Sequence, residues 1–342
     1  MEGSRPRVSI VIPNRNGVKA PSGLRYLDMV MTTLREQSFQ DFDVTIVDNG
    51  STDGSVEYLD QHWPHVRTIA LPGNLGFPTA VNRGIEATRG EYFALLNNDL
   101  ELSPDWLERL VRQLDCRPGA GFATGKIMRY DQRGVLEQAG QDLYTCGRFA
   151  PRGLDQPDRG QYDDPREITI ASAAAAIYRR DAFATAGEFD EDYFLYCEDA
   201  DLCLRMLLSG YRGIYVPEAA AFHVRGGTAD QESELTKFYV QRNTLVTLFK
   251  DLPASTLWKS LPKIVLYQLH QLRVARQLGS VRTLLRSYAS FLRTLPRTLS
   301  KRRQIVRQRR LPTAEFESFL LRDYPLPTPL DRLRRRHAEP LT

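Results

Sequence analysis

Val44-Thr45-Ile46-Val47-Asp48-Asn49-Gly50-Ser51-Thr52-Asp53-Gly54-Ser55 decides the fold. The first four residues, mostly β-branched, are stiff at χ1 and pack well on a pleated surface, so they read as a buried strand. Eight turn-forming residues follow, and a helix begins near Ser55 and Val56. A strand that stops in a polar turn and returns through a helix is the unit of a parallel sheet covered on both faces. The unit recurs. Val8-Ser9-Ile10-Val11-Ile12 is a similar strand ended by Pro13 and Asn14, and Val66 to Leu71 is another. Thr79 to Ala87 reads as a helix, and Tyr92-Phe93-Ala94-Leu95-Leu96 as a fourth strand, ending at Asn97-Asn98-Asp99. Ser103 then reads as an N-cap with Pro104 at the first helical position. Ligands of such sheets bind at the carboxyl ends of the strands, so Asn14, Asp48 and Asn97 to Asp99 mark a candidate site.

A second stretch points to chemistry. Phe189-Asp190-Glu191-Asp192-Tyr193-Phe194-Leu195-Tyr196-Cys197-Glu198-Asp199-Ala200-Asp201-Leu202-Cys203-Leu204-Arg205 sets six carboxylates among aromatics. Aromatics favour burial, whereas carboxylates go inside only when paired. An element holding both lines a cleft, where partial desolvation raises a carboxylate pKa into the range useful to a base. The plain alternative is an acidic helix start with an i,i+4 ion pair from Asp201 to Arg205. It accounts for those two residues but not for Glu198 and Asp199 after an aromatic run. Upstream, Ile168 to Tyr178 reads as an alanine-heavy strand, and Thr145 to Pro165 as a long surface loop.

At 342 residues the chain is long enough for about two domains. Its net charge of +4 hides a division. From Leu235 on, about 22 Lys and Arg stand against about 6 Asp and Glu, near +16, which leaves near −12 for the rest. The boundary is therefore set near residue 235, giving regions 1–234 and 235–342. A tail so basic suits a polyanion, anionic lipid or nucleic acid. No recognisable nucleic-acid module accompanies it, so no nucleic-acid partner is expected. Cys116, Cys146, Cys197 and Cys203 show neither CxxC pairing nor zinc-like spacing, which predicts reduced thiols in a cytosolic protein. The short polar start, Met1 to Arg7, does not read as a signal peptide, and no apolar run nears the ~18 residues that span a bilayer.

Within the tail, Val274, Leu278, Val281, Leu285, Tyr288, Leu292 and Leu295 recur at spacings of 4 and 3, an apolar seam down a helix. Arg273, Arg276, Arg282, Arg286 and Arg293 flank it. The seam fits a helix on an anionic membrane surface, a contact in a homo-oligomer, or a helix packed on the first domain. Arginine density with Trp258, Tyr267 and Phe291 favours the membrane. The clusters Lys301-Arg302-Arg303, Arg307 with Arg309 and Arg310, and Arg334-Arg335-Arg336 add about 1 kcal/mol of lipid attraction per basic residue near the surface.

Taken in order, the polar strand ends are Ile12-Pro13-Asn14-Arg15-Asn16-Gly17, Val47-Asp48-Asn49-Gly50-Ser51-Thr52-Asp53, and Asn74-Leu75-Gly76-Phe77 with Asn82-Arg83-Gly84. Leu96-Asn97-Asn98-Asp99, Gly187-Glu188-Phe189-Asp190-Glu191, Glu198-Asp199 with Asp201-Leu202, and Phe222-His223 complete the series. It resembles the family 2 glycosyltransferases of the GT-A fold, in particular their bacterial rhamnosyltransferase-like branch, over about residues 7 to 250. The resemblance implies an α/β fold, a doubly wound mixed sheet with a Rossmann-like nucleotide-binding half, followed here by the basic helical region. It implies inverting, metal-dependent transfer of a hexosyl group, rhamnose as first choice, from a nucleotide-diphosphate sugar. The acceptor would be a hydroxyl of a glycan or a polyprenyl-diphosphate-linked saccharide in cell-envelope polysaccharide synthesis. The protein would then be cytoplasmic, peripheral on the inner face of the plasma membrane.

The resemblance also assigns roles. Asp48 would accept from a pyrimidine ring N–H, with Pro13 and Asn14 lining the same pocket; the plain reading of Asp48 is an Asx-turn residue. For Asp53, capping the next helix suffices. Asn74, Gly76 and Asn82 would contact the donor, Gly76 permitting close approach, and Asn97 and Asn98 would join them. Pro78 departs from the small residue often found there. Asp99 matches the last residue of the family's DxD metal motif, whose first Asp is here Asn97. Hard Mg²⁺ or Mn²⁺ takes few protein carboxylates and completes its shell with phosphate oxygens and water. His223 would be the second protein ligand, a nitrogen better suited to Mn²⁺. Asp199 matches the family's base, with Glu198 in reserve. All these residues precede 235, so a chain ending near Lys250 is expected to keep donor binding. Two other classes remain: a nucleotidyltransferase making sugar nucleotides, which lacks here a convincing glycine- and basic-rich triphosphate loop, and a non-catalytic nucleotide-sugar-binding protein, hinted at by Asn97.

Overall fold

The computed structural model describes residues 5–18, 25–224 and 233–322. The apolar runs become one ten-stranded mixed sheet. Its first half is parallel, with strands in the order Tyr92–Leu96, Val8–Asn14, Phe42–Asp48 and Arg67–Ala70. Beyond Tyr92–Leu96 the order continues through Ala175–Arg179, Ala120–Arg129, Arg212–His223 and Arg166–Ile168, with Ala175–Arg179 antiparallel to both neighbours. Side chains alternate across the pleat. Val8, Ile10 and Ile12 pack with Leu27 and Val30 of helix Tyr26–Arg35 and Leu107 and Leu110 of helix Trp106–Asp115. Val11 and Val47 pack on the opposite face with Val81 and Ile85 of helix Phe77–Glu86 and Leu202 and Met206 of helix Glu198–Leu208. Both faces are covered.

Two readings change at element ends. Ser103 does not cap the helix after it: its hydroxyl bonds Asp105 at 3.2 Å, while its backbone N–H and carbonyl bond Ala220 and Gln37. The helix starts at Trp106, two residues past Pro104. Nor is Ile168 to Tyr178 one strand, because only Arg166–Ile168 and Ala175–Arg179 pair in the sheet. The alanine run between them leaves it and presents Ser172, Ala173 and Ala174 to a cavity. The loop expected over Thr145 to Pro165 contains the short strand Phe149–Pro151, paired with Gln141–Tyr144.

The basic region is helical: Glu234–Asp251, Ala254–Gln277, Val281–Gln308 and Thr313–Ser318. It does not stand apart. Leu248, Leu252, Ile264, Leu311 and Phe316 share a core with Leu143, Leu204, Leu207 and Leu208, and Phe291 and Leu245 pack around Tyr193. Strand Leu320–Leu321 returns to pair with Gln141–Tyr144. A chain ending at Lys250 would leave these apolar faces open to water. The seam also divides. Gly279, with φ +70°, separates two helices. Tyr288 and Leu295 turn inward to the core around Tyr193, while Leu278, Leu285 and Leu292 are exposed. Arg334 to Arg336 lie outside the described residues.

Candidate active site

Sheet register assembles the site. Asn14 pairs with Asp48 at the ends of adjacent parallel strands, and its Nδ2 donates to Asp48 Oδ1 at 2.8 Å. Asn98 Nδ2 donates to Asn14 Oδ1 at 2.7 Å. The short strand Leu100–Leu102 runs antiparallel to the end of Arg212–His223, with His223 opposite Leu100. That pairing carries His223 to Asp99, Nε2 standing 3.2 Å from Oδ1. Glu137, from strand Leu136–Gln138, holds the other ring nitrogen, Nδ1, at 2.9 Å. Burial opposes a charge on His223, but Asp99 and then Glu137 outweigh it and push the ring up to about 10.

These groups open on a cavity of about 500 Å³. Pro13, Asn14, Asn74, Gly76, Asn97, Asn98, Asp99 and His223 line one part of it, and Glu198 and Asp199 another. Ten of the twelve expected site residues therefore meet. Asp48 and Asn82 are not in its lining. Asp48 is buried and braces its own loop, accepting from Ser51 N–H, three residues on, at 2.9 Å and from the Ser51 hydroxyl. Asn82 spends its amide on the backbone of Phe189, donating at 2.9 Å and accepting at 3.1 Å. Gly76 does allow a close approach, but by protein: a Cβ there would meet the Phe194 carbonyl at 2.7 Å. Asp53 is not the N-cap of the next helix: Gly54 holds that position without a side-chain cap, while Asp53 accepts from Ser55 N–H at 3.1 Å and from Val18 N–H at 2.9 Å.

Glu198 and Asp199 open helix Glu198–Leu208. Burial raises both, and Glu198 is raised further by the charge of Asp199. Asp199 is held back by the N–H groups of Ala200 and Ala173, at 2.7 and 3.3 Å, which favour its charged form. Glu198 Oε2 is buried with no hydrogen-bond partner among the described residues. Asp199 is thus the member of the pair better kept as a carboxylate. Asp201, two residues on, belongs to structure: it is fully buried and paired with Arg205 at 2.8 Å.

The buried Asp99 Oδ1 has the His223 ring, 3.2 Å away, as its side-chain partner among the described residues. A carboxylate facing an imidazole whose far nitrogen is anchored by a second carboxylate suits a divalent cation once the ring gives up its proton. No group of three or more His, Cys, Asp and Glu is placed to hold a metal among the described residues. Asp99 and His223 are the cavity side chains that could hold one, with phosphate and water completing its shell. Sequence reasoning missed Glu137, which sits in an ordinary three-residue strand without any local signal. It also assigned no role to Asn49, which organises the Asn74 to Phe77 turn by donating to Asn74 Oδ1 at 3.1 Å and accepting from Leu75 N–H at 2.8 Å.

The cavity at the strand ends agrees with what similarity finds. The sequence pattern of glycosyl transferase family 2 matches residues 9–187. An N-acetylglucosaminyl-diphospho-decaprenol L-rhamnosyltransferase of Mycobacterium tuberculosis is 31% identical over 220 residues, 58% of this chain and 71% of that protein. Among solved structures, S. aureus TarS 1–349 superposes with a TM-score of 0.57 at 17% identity, covering 88% of this chain and 86% of that one. The mannosyltransferase PcManGT of Pyrobaculum calidifontis, in complex with GDP-Man and Mn²⁺, superposes with a TM-score of 0.51 at 17% identity, covering 90% and 86%. The fold is the GT-A fold with a helical C-terminal region. The chain belongs to glycosyl transferase family 2 and is a glycosyltransferase of its rhamnosyltransferase-like branch.

Proposed function

We propose that this enzyme moves a sugar, rhamnose as first choice, from a nucleotide-diphosphate donor to a hydroxyl of a lipid-linked saccharide, with inversion. The single observation that carries the reading is Asp199: a partly desolvated carboxylate, raised by burial and steadied by two N–H groups, in the same cavity as Asp99 and His223. The acceptor oxygen attacks the anomeric carbon as the bond to the diphosphate breaks, and its proton passes to Asp199. One displacement inverts the configuration. The lipid-linked acceptor and the rhamnosyl donor follow the name of the mycobacterial relative, and cell-envelope polysaccharide synthesis is the corresponding setting. Release of nucleoside diphosphate from a panel of sugar nucleotides, with and without a polyprenyl-diphosphate saccharide, tests this. Acceptor-stimulated release from one donor is expected; release from none would overturn it.

Asp99 and His223 would hold Mg²⁺ or Mn²⁺, with Glu137 orienting the imidazole. Such an ion offsets the charge of the departing diphosphate. Pro13, Asn14, Asn74, Gly76, Asn97 and Asn98 would surround the nucleotide, with Asp48 fixing Asn14 and Asn82 acting through Phe189. We expect Asp99→Ala to abolish metal-dependent donor binding in titration calorimetry and His223→Ala to weaken it less. Donor affinity that ignores chelator in the unaltered protein would contradict the metal assignment.

The partner proposed for the basic helices is the anionic inner face of the plasma membrane. Trp258, Val265, Leu266 and Leu269 are exposed on one helix, and Leu285, Leu292, Leu299 and Val306, spaced by sevens, on the next. Neither helix, Ala254–Gln277 nor Val281–Gln308, contains an Asp or Glu. A homodimer through this stripe would set arginines against arginines, whereas lipid phosphates complement them. No helix among the described residues is long and apolar enough to cross a membrane. Binding to anionic vesicles is expected to fall as salt rises, since the Debye length shrinks from about 10 Å at 0.1 M to about 3 Å at 1 M. The double variant Leu292→Asp with Leu299→Asp should lose vesicle binding and keep donor hydrolysis. A full-length protein that ignores vesicles and sediments as a dimer would favour the oligomer instead.

A further inference from the structure

The cavity wall just before Glu198 is held in an unusual backbone. Phe194, Tyr196 and Cys197 all have positive φ, at 64°, 67° and 67°. Non-glycine residues stay in the left-handed region only when their surroundings impose it. Here the surroundings come from helix Glu234–Asp251, which lies beyond residues 9–187 where the family pattern matches. Asn243 is fully buried, and the two N–H groups of its Nδ2 are shared among three carbonyls of this wall, Tyr193 at 3.0 Å, Leu195 at 2.8 Å and Tyr196 at 2.8 Å. One amide group thus gathers three carbonyls into a tight turn. Other side chains of the same helix secure its flanks. Thr247 bonds the Tyr193 hydroxyl at 2.7 Å, Thr236 bonds the Tyr196 hydroxyl at 3.2 Å, and Tyr239 stacks on Phe194 at 5.2 Å.

The clamped wall reaches both sides of the cavity. Its Phe194 carbonyl accepts from Phe77 N–H at 2.8 Å and presses on Gly76, in the turn lined by Asn74. Its other end is Cys197, the residue that leads helix Glu198–Leu208 and so aims Asp199. Asn243 itself does not line the cavity, although Val240 and Thr244 beside it do. We infer that Asn243 is a positioning residue for the sugar-transfer step, its carboxamide holding the Tyr193 to Cys197 turn so that Asp199 stays in reach of the acceptor. This rests on the reading of Asp199 as base. Helix Glu234–Asp251 then belongs to the active site and not to a separate tail.

The test is steady-state kinetics of Asn243→Ala in the full chain, beside Asp199→Asn and the double variant Asn243→Ala with Cys197→Gly. A misplaced base lowers kcat about 10- to 100-fold. We expect that loss for Asn243→Ala with donor KM within about 3-fold of the parent. Glycine adopts positive φ without steric cost, so Cys197→Gly should recover part of the lost kcat. A purely structural role would lower the unfolding midpoint and leave kcat per folded molecule intact, and that result overturns the inference. So does a double variant no better than Asn243→Ala alone. If Asn243→Ala does not fold, Asn243→Ser, which keeps one donor, is judged by the same kcat and KM criteria. An active Asn243→Ala beside an inactive Asp199→Asn sinks only the clamp; an active Asp199→Asn sinks the base assignment itself.

Discussion

Asp199→Asn is expected to lower kcat by about 10²- to 10⁴-fold, the usual worth of a general base, while donor binding survives. The substitution keeps size and keeps an oxygen for the Ala200 N–H, 2.7 Å away in the parent. It removes only the ability to take a proton. Glu198 is a poor substitute, because burial and the neighbouring charge raise it and so keep it protonated. The same physics fixes the pH dependence. Burial raises Asp199, so its base form is lost as pH falls through a value above the ordinary carboxylate range. The acid limb of kcat should lie correspondingly high and disappear in the Asn variant. Near-parental turnover by that variant would move the role to Glu198.

The second large effect concerns stability. Lys250 is 2% exposed, and its ammonium sits 2.6 Å from Asp190 and against Asp201, over the ring of Tyr193. Lys301 reaches the other oxygen of Asp190 at 2.5 Å. These contacts tie the acidic segment before Asp199 to two helices of the basic region. Lys250→Met leaves buried carboxylates short of a counter-charge, a loss of about 3–5 kcal/mol for a buried pair broken on one side. The pH sign follows from Asp190. Burial works against its charge, but Lys250 and Lys301 outweigh it and hold the carboxyl well below its usual range. The stability it contributes is therefore full above its unfolded value and lost as pH falls through the depressed folded one. Without Lys250 the acid loss should begin at higher pH. Denaturant midpoints measured from neutral to acid pH check both expectations, and a cost under about 1 kcal/mol would show that the network does not hold the regions together.

Much of the nucleotide half was legible because its signals are local. Runs such as Val8 to Ile12 and Tyr92 to Leu96 end abruptly in Asn14 and Asn97, and a strand that stops at a polar residue announces both an element and a site. Glu198 and Asp199 stood out for the same reason, carboxylates where apolar neighbours demand a cleft. What was illegible depends on partners distant in sequence. Glu137 matters only because the sheet brings His223 beside it, and Asn243 only because its helix packs under Tyr193 to Tyr196. Alanine's small side chain suits a strand and an irregular wall equally, so Thr169 to Ala174 read as strand. The 4 and 3 spacing runs through Gly279 unbroken, and spacing alone could not divide the seam into a buried and an exposed face.

A single displacement with Asp199 as base leaves its mark in the anomeric configuration of the product. The full chain, divalent metal, dTDP-rhamnose and a polyprenyl-diphosphate N-acetylglucosamine acceptor would be incubated, and the glycoside analysed by NMR. The expected product carries the configuration opposite to that of the donor and is formed at least about 10²-fold more slowly by Asp199→Asn. A product that retains the donor's configuration would contradict the single displacement and with it the role given to Asp199.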